Sequence, residues 1–191
     1  MMEFKSKFIL LRHSQPKPFP GPWIQPNSNP LSDSGVKQAN DISSVLKEKS
    51  IDLIYSSPYT RAKQTAKIIG NNLGLKVTVE EYLKERQQGD LENQKLPADK
   101  INLLWEKFKE FKTLTPKEQW SVKPFPKFET DQELLERTLN CLNKISNTNP
   151  EKTMLIVTHA SLIKTLLIHL GKVNLDDREN FNVKINEVIE I

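Results

Sequence analysis

Phe8-Ile9-Leu10-Leu11-Arg12-His13 is the stretch whose reading decides the fold. Four consecutive apolar residues with no alternation are the pattern of a strand buried on both faces. The run stops abruptly on a guanidinium and an imidazole. A buried strand that ends this way delivers both groups to the carboxyl edge of a sheet, where sites in open α/β folds form. The pattern recurs near the other end of the chain. Met154-Leu155-Ile156-Val157-Thr158 is a second apolar run, and it stops on His159. A lone strand-end histidine is more often a hydrogen-bonded structural group than a reactive one. Two such ends in a chain with three histidines, brought together with the arginine by a parallel sheet, would make a site able to hold a phosphate and attack it.

Outward from these strands, the chain alternates helix and strand. A proline-rich loop runs from Pro16 to Pro30 and excludes regular structure. Leu31-Ser32 then opens a helix with Ser32 as N-cap, and Val36, Ala39, Ile42 and Leu46 form its apolar face. Ile51 to Ser56 is a second strand, broken by Pro58. The next helix carries Ala62, Ala66, Ile69 and Leu73 as its stripe and stops at Gly74. Val77 and Val79 alternate with polar neighbours in a third strand. Strands separated by helices predict a three-layer α/β/α fold with a mostly parallel sheet.

Residues 87–130 break this rhythm. They hold a polar stretch, one amphipathic helix (Ile101, Leu104, Trp105, Phe108, Phe111) and a proline-containing loop. This reads as a small lid-like insertion within a single domain spanning residues 1–191. A long helix follows from Asp131 to about Ser146, then the strand ending at His159, then a helix through Leu162, Ile163, Leu166, Leu167 and Leu170. The tail from Val183 to Ile191 alternates and reads as an edge strand.

Composition narrows the function classes. A hydrophobic content of 37% with 27% charged residues is that of a soluble globular protein. The net charge of +4 is spread along the chain without a basic block, which disfavours nucleic acid and suits a small anionic substrate. One cysteine, Cys141, excludes an intrachain disulfide framework and a cysteine zinc cluster. It falls at helical spacing with Leu134, Leu135 and Leu142 and reads as core. No apolar run reaches the ~20 residues of a membrane span, and none near the N-terminus suits a signal peptide, so the expected setting is cytoplasmic. His169, in the last turn of its helix, reads as structural.

Two further segments carry chemistry. Arg61 starts a helix directly after a strand, where free amides, the helix dipole and a guanidinium fork favour an anion. Glu85, just past the third strand, falls at the same carboxyl edge. Alone it would be an ordinary solvated loop carboxylate.

Together these residues resemble the histidine phosphatase superfamily, in the branch typified by cofactor-dependent phosphoglycerate mutase. The opening Arg-His-Gly-Glu/Gln stands as Arg12-His13-Ser14-Gln15. The Pro-Leu-Thr/Ser-x-x-Gly-x-x-Gln-Ala signature runs from Pro30 to Ala39. The Ser-x-x-x-Arg-Ala-x-Gln-Thr-Ala signature runs from Ser57 to Ala66. Leu-x-Glu-x-x-x-Gly-Asp stands at Leu83 to Asp90, and the final Val-x-His-Gly/Ala at Val157 to Ala160. The matches keep the family's order over most of the chain.

The resemblance implies an enzyme, a phosphatase acting on a small phosphorylated metabolite through a phosphohistidine at His13. Arg12, Arg61 and His159 would bind the phosphoryl oxygens, with Ser14, Ala160 and Gln25 as further contacts. Glu85 would protonate the leaving oxygen and then activate water. Neither metal nor other cofactor is implied, because arginines and histidines supply the positive charge. Ser14 departs from the family's glycine, Gln25-Pro26 from its Gln-Gly, and Ala160-Ser161 from two glycines, and Pro18 to Pro22 occupy the place of a usual asparagine. These departures bear on substrate identity. The other readings are a phosphoglycerate-type mutase, a phosphoprotein (phosphohistidine) phosphatase and a catalytically silent binding protein. Mutases of this kind carry a longer tail than one ending at Ile191, which favours the phosphatase.

Overall fold

The computed structural model describes residues 4–19, 25–89, 92 and 97–191. Five strands form one sheet: β1 (Lys7–Arg12), β2 (Leu53–Ser56), β3 (Val77–Val79), β4 (Thr153–Thr158) and β5 (Val188–Glu190), in the order β3-β2-β4-β1-β5. β1, β2, β3 and β4 pair in parallel, and β5 runs antiparallel at the edge against β1. The two strands read first in the sequence are thus neighbours. Their register sets Leu11 beside Val157 and Arg12 beside Thr158.

The apolar runs are continuous because both faces are covered. Phe8, Leu10, Met154 and Ile156 face a core that includes Leu139, Leu142 and Ile145 of α5 (Asp131–Thr148). Ile163, Leu166 and Leu167 of α6 (Ala160–His169) complete that layer. The alternate residues Ile9, Leu11, Leu155 and Val157 face Leu46 of α1 (Asp33–Leu46) and Ala62, Ala66 and Ile69 of α2 (Thr60–Leu73). Cys141 is buried in the first of these cores, and burial pushes its thiol up to about 12, out of the range of a reactive thiolate.

Local chemistry sets the element ends. The Ser32 hydroxyl accepts from the Gly35 N–H at 3.0 Å and caps α1. Gly74 closes α2 at φ 70°, a left-handed conformation that glycine adopts without Cβ strain. Thr130 and Glu133 form a reciprocal capping box at the start of α5.

Residues 97–130 carry α3 (Ala98–Lys112) and the single turn α4 (Pro116–Gln119). Leu104 and Phe108 of α3 pack on Phe125 and Phe128 in a small core of their own. The side chains of Ile101 and Trp105, expected on the same face, lie outside the described residues. Pro20, Pro22 and Asp90 also lie outside them.

Two expectations are corrected. Val36 is not on the apolar face of α1 but 41% exposed, because the chain turning in from Gln15 meets the helix at Gly35, one residue away. The tail is not a continuous strand from residue 183: Val183 is buried in the main core, residues 184–187 form a strap, and pairing with β1 begins at Val188 and runs to Ile191. Among the described residues, no helix is long and apolar enough to cross a membrane.

Candidate active site

The site grows from the β1–β4 pairing. The His13 N–H donates to the Thr158 carbonyl at 3.0 Å, so the first residues past the two strands lie side by side. The rings of His13 and His159 meet edge to face with centroids 5.1 Å apart.

His13 is 4% exposed, and its hydrogen bonds settle its tautomer. Nδ1 lies 2.8 Å from the Ser14 carbonyl. A carbonyl only accepts, so the proton sits on Nδ1 and the lone pair on Nε2. Nε2 accepts from Arg61 Nε at 3.1 Å. Burial above all, with the charges of Arg61 and Arg12 adding to it and the Ser14 bond opposing it, pushes His13 down to about 3. The ring is neutral at pH 7 and its lone pair faces a cation.

Arg61 occupies the first turn of α2. Its Nη1 donates to the Pro26 carbonyl at 3.1 Å, and the Tyr59 ring packs on the guanidinium 5.2 Å from Cζ. Arg12 donates from Nη1 to the Val183 carbonyl at 2.6 Å, while its Nε is buried without a partner. Burial lowers both arginines, and the Glu85 carboxylate opposes that shift in each. Glu85 accepts from the Arg86 N–H at 2.8 Å and from the Ser161 N–H at 3.3 Å. The second contact sets its carboxyl group on the N-terminal turn of α6.

A buried ionic brace holds the Glu85 segment. Arg137 Nη2 donates to the carbonyls of Lys84 (2.9 Å) and Glu85 (3.1 Å) and to Glu129 (3.0 Å). Glu129 also accepts from the Gln87 N–H at 2.9 Å. Next to it, the buried Asp131 carboxylate pairs with Arg86 and with Arg178 at 2.7 Å, and accepts from Thr165 at 3.0 Å. The start of α5 and the residues before it are thereby locked to the loop that presents Glu85.

Arg12, His13, Gln25, Tyr59, Arg61, Glu85, Arg86 and Ala160 line one open cleft of about 400 Å³ at the carboxyl edge of the sheet. No group of three or more metal-ligating side chains occurs among the described residues.

Two expected phosphate contacts are placed differently. Ser14 is fully buried and does not line the cleft. Its N–H donates to Thr65 Oγ1 at 3.1 Å and its hydroxyl to Asn186 Oδ1 at 2.7 Å, so neither faces a substrate. His159 is fully buried behind His13 and also absent from the cleft wall. Its Nε2 is 2.7 Å from Ser57 Oγ, and the Tyr59 ring covers it edge to face at 5.0 Å. Burial, then the proximity of His13 and Arg61, lowers its basicity far below the usual histidine range.

The family model for the histidine phosphatase superfamily (branch 1) matches residues 8–191. The chain belongs to the histidine phosphatase superfamily. Among superfamily relatives, the uncharacterized phosphatase PhoE of Bacillus subtilis is 33% identical over 142 residues, 74% of this chain and 65% of PhoE. This chain therefore spans less than two thirds of that relative. The putative phosphoserine phosphatase 2 of Hydrogenobacter thermophilus is 28% identical over 166 residues, 84% of this chain and 76% of the relative. The superfamily fold is shared with mycobacterial glucosyl-3-phosphoglycerate phosphatase, at a TM-score of 0.77 and 23% identity, covering 96% of this chain and 88% of that one. YhfR of Bacillus stearothermophilus gives a TM-score of 0.77 at 24% identity, covering 97% and 90%.

Sequence reasoning did not single out Ser57, Tyr59 or Thr65 as parts of the site. All three lie inside the Ser57–Ala66 signature, so position alone offered a signal. The brace of Glu129, Asp131 and Arg137 had a weaker one, the capping-box pattern that starts α5.

Proposed function

We propose that this protein is a phosphatase that hydrolyses a small phosphorylated metabolite of the cytoplasm through a phosphohistidine at His13, within a single domain whose insertion lies over the site as a lid. One observation carries the reading. His13 is buried, neutral and locked in the Nδ1–H tautomer, with Nε2 held against Arg61 in an open cationic cleft. A neutral imidazole with a fixed lone pair is an activated nucleophile, and flanking guanidiniums stabilise the charge that spreads over a transferring phosphoryl group.

In the first step the Nε2 lone pair forms the N–P bond while the P–O bond to the leaving group breaks. Glu85 gives its proton to the departing oxygen. In the second step Glu85 takes a proton from water, the water oxygen attacks phosphorus, and the N–P bond electrons return to Nε2. Arg12 and Arg61 hold the phosphoryl oxygens through both steps. His159 acts from behind the nucleophile. The names of the relatives, a phosphatase and a putative phosphoserine phosphatase, support this class of reaction.

The test is chemical. Protein mixed with radiolabelled phosphoester and quenched in base should carry one acid-labile, base-stable label, absent from His13→Ala although that variant folds. Label on a serine or on Cys141, or full turnover by His13→Ala, overturns the proposal.

A further inference from the structure

Ser14 replaces a glycine of the family pattern, and its side chain is not idle. All of its polar atoms are engaged: the N–H with Thr65, the carbonyl with His13 Nδ1, and the hydroxyl with Asn186 Oδ1. Asn186 completes the link by donating Nδ2 to the Gln38 carbonyl in α1 at 2.9 Å. Gln38 in turn accepts the Gln15 N–H at its Oε1, at 3.0 Å. Ser14, Asn186, Gln38 and Gln15 thus form a closed ring, with a peptide bond as one side. The strap that carries Asn186 also holds Arg12, through the Val183 carbonyl, and the Val183 side chain is itself fixed in the core. One short segment therefore grips the residues on both sides of His13.

Resting on the reading of His13 as nucleophile, we infer that Asn186 is a positioning residue. It acts through the Ser14 hydroxyl to fix the carbonyl that sets the His13 tautomer. The side-chain chemistry is specific. The link needs an acceptor for the Ser14 hydroxyl and a donor for the Gln38 carbonyl on one planar group, and an amide supplies both. The backbone of Asn186 is left-handed at φ 57°, a conformation asparagine tolerates better than most residues. Without the link, the Ser14 side chain loses its anchor, and apart from the His13 bond itself the peptide that carries the Ser14 carbonyl is held only through its own N–H, that of Gln15, on the Gln38 side chain. Rotation of that peptide withdraws the carbonyl from Nδ1, and the proton can then move to Nε2, which removes the nucleophilic lone pair.

The test compares Asn186→Ala, Asn186→Gly, Ser14→Ala and the Asn186→Ala/Ser14→Ala double variant. Asn186→Gly separates the lost amide from strain at the left-handed position. Steady-state kinetics with nitrophenyl phosphate are paired with imidazole ¹⁵N shifts of His13, assigned through His13→Gln. All three single variants are expected to lose kcat roughly tenfold, as modest misplacement of a reacting group does, with KM changed by less than about twofold. The double variant should be no worse than the weaker single one, because one link is broken in each. The His13 shifts should move from the Nδ1–H pattern towards a tautomer average. Unchanged kcat and shifts in the single variants, or losses that multiply in the double variant, overturn the inference. If the parent turns over no phosphoester, the nucleophile reading fails. The imidazole shifts then still decide whether Asn186 sets the tautomer.

Discussion

Gly35→Ala should injure the site from a distance, and the structure supplies the size of the injury. A Cβ on Gly35 would stand 2.0 Å from the Gln15 carbonyl oxygen and 2.9 Å from its carbon. Such atoms essentially never approach within 3.0 Å, so the chain must yield by at least 1.0 Å. The obstruction is backbone and cannot rotate away. The same carbonyl accepts from the Ser32 N–H at 3.0 Å and the Ser32 hydroxyl at 3.1 Å, and both bonds are strained by the shift. Overpacking costs about 1–3 kcal/mol and each weakened bond about 1 kcal/mol. The better helix propensity of alanine returns about 1 kcal/mol. The net loss expected from urea denaturation is about 2–4 kcal/mol.

Gln15 is two residues past His13, so the displacement reaches the proposed nucleophile. A shift of about 1 Å there should lower kcat on the order of 100-fold, read with nitrophenyl phosphate under conditions where the variant is fully folded. Gly70→Ala is the control. Its Cβ would meet the Leu75 carbonyl at 2.7 Å, a smaller clash in α2 far along from Arg61, and it should lose stability while kcat holds. A folded Gly35→Ala protein with kcat within about twofold of the parent would refute the proposed transmission from α1 to His13.

Three more outcomes are expected. His13 sits at about 3 in the fold against 6.5 in the unfolded chain, so below pH 6.5 the unfolded state binds the proton first and stability falls, levelling off near pH 3. At pH 5 the loss from His13 is about 2 kcal/mol, and buried His159 adds its own in the same direction, so urea denaturation at pH 7.5 and 5.0 should show a drop larger by that amount in the parent than in His13→Gln; equal drops would contradict the assignment. Asp131→Asn removes the negative charge shared by two buried guanidiniums, Arg86 and Arg178, and should cost about 3–5 kcal/mol; a loss below about 1 kcal/mol would show that the brace is idle. Glu85→Gln should slow phosphoenzyme formation from an alkyl phosphate by roughly 10²–10⁴-fold and from nitrophenyl phosphate far less, since phenolate leaves without a proton; equal losses in rapid-mix experiments would remove Glu85 from the acid role.

What could be read in the sequence follows from how local the determining interactions are. The buried strands announced themselves because both faces are covered, and their ends fixed where Arg12, His13 and His159 would emerge. Ser32 and Gly74 acted through neighbours a few residues away, so the ends of α1 and α2 were legible. Val36 was misplaced because helical periodicity defines a face but not which neighbour covers its end. The strap was misread because alternation in residues 183–191 resembles a strand, while pairing needs a free edge, and β1 offers one only from Val188 onward. Ser14 could be noticed as a departure from glycine. Its partner Asn186 lies 172 positions away, and no local pattern encodes that choice. The same holds for Asp131, whose two arginines come from distant segments.

The hydrogen bond between Arg61 Nε and His13 Nε2 bears on how binding and attack are coupled. Held this way, the lone pair is aimed but occupied, so it must be released before it can reach phosphorus. On the proposed reading the substrate performs that release. Its phosphoryl oxygens offer the Arg61 fork anionic acceptors in place of a neutral ring nitrogen. The bond surrendered has one charged partner and the bond gained has two, which makes the new one shorter and stronger. The exchange is favourable only for a ligand that brings negative oxygen to Arg61. The Pro26 carbonyl and the Tyr59 ring keep the guanidinium in place meanwhile. His13 cannot respond by taking up a proton, because burial and the flanking cations hold it neutral down to about pH 3. Its tautomer is fixed from the other side by Ser14. A phosphoryl group therefore frees the nucleophile in the act of being bound, whereas a neutral ligand in the same cleft leaves Nε2 capped by Arg61.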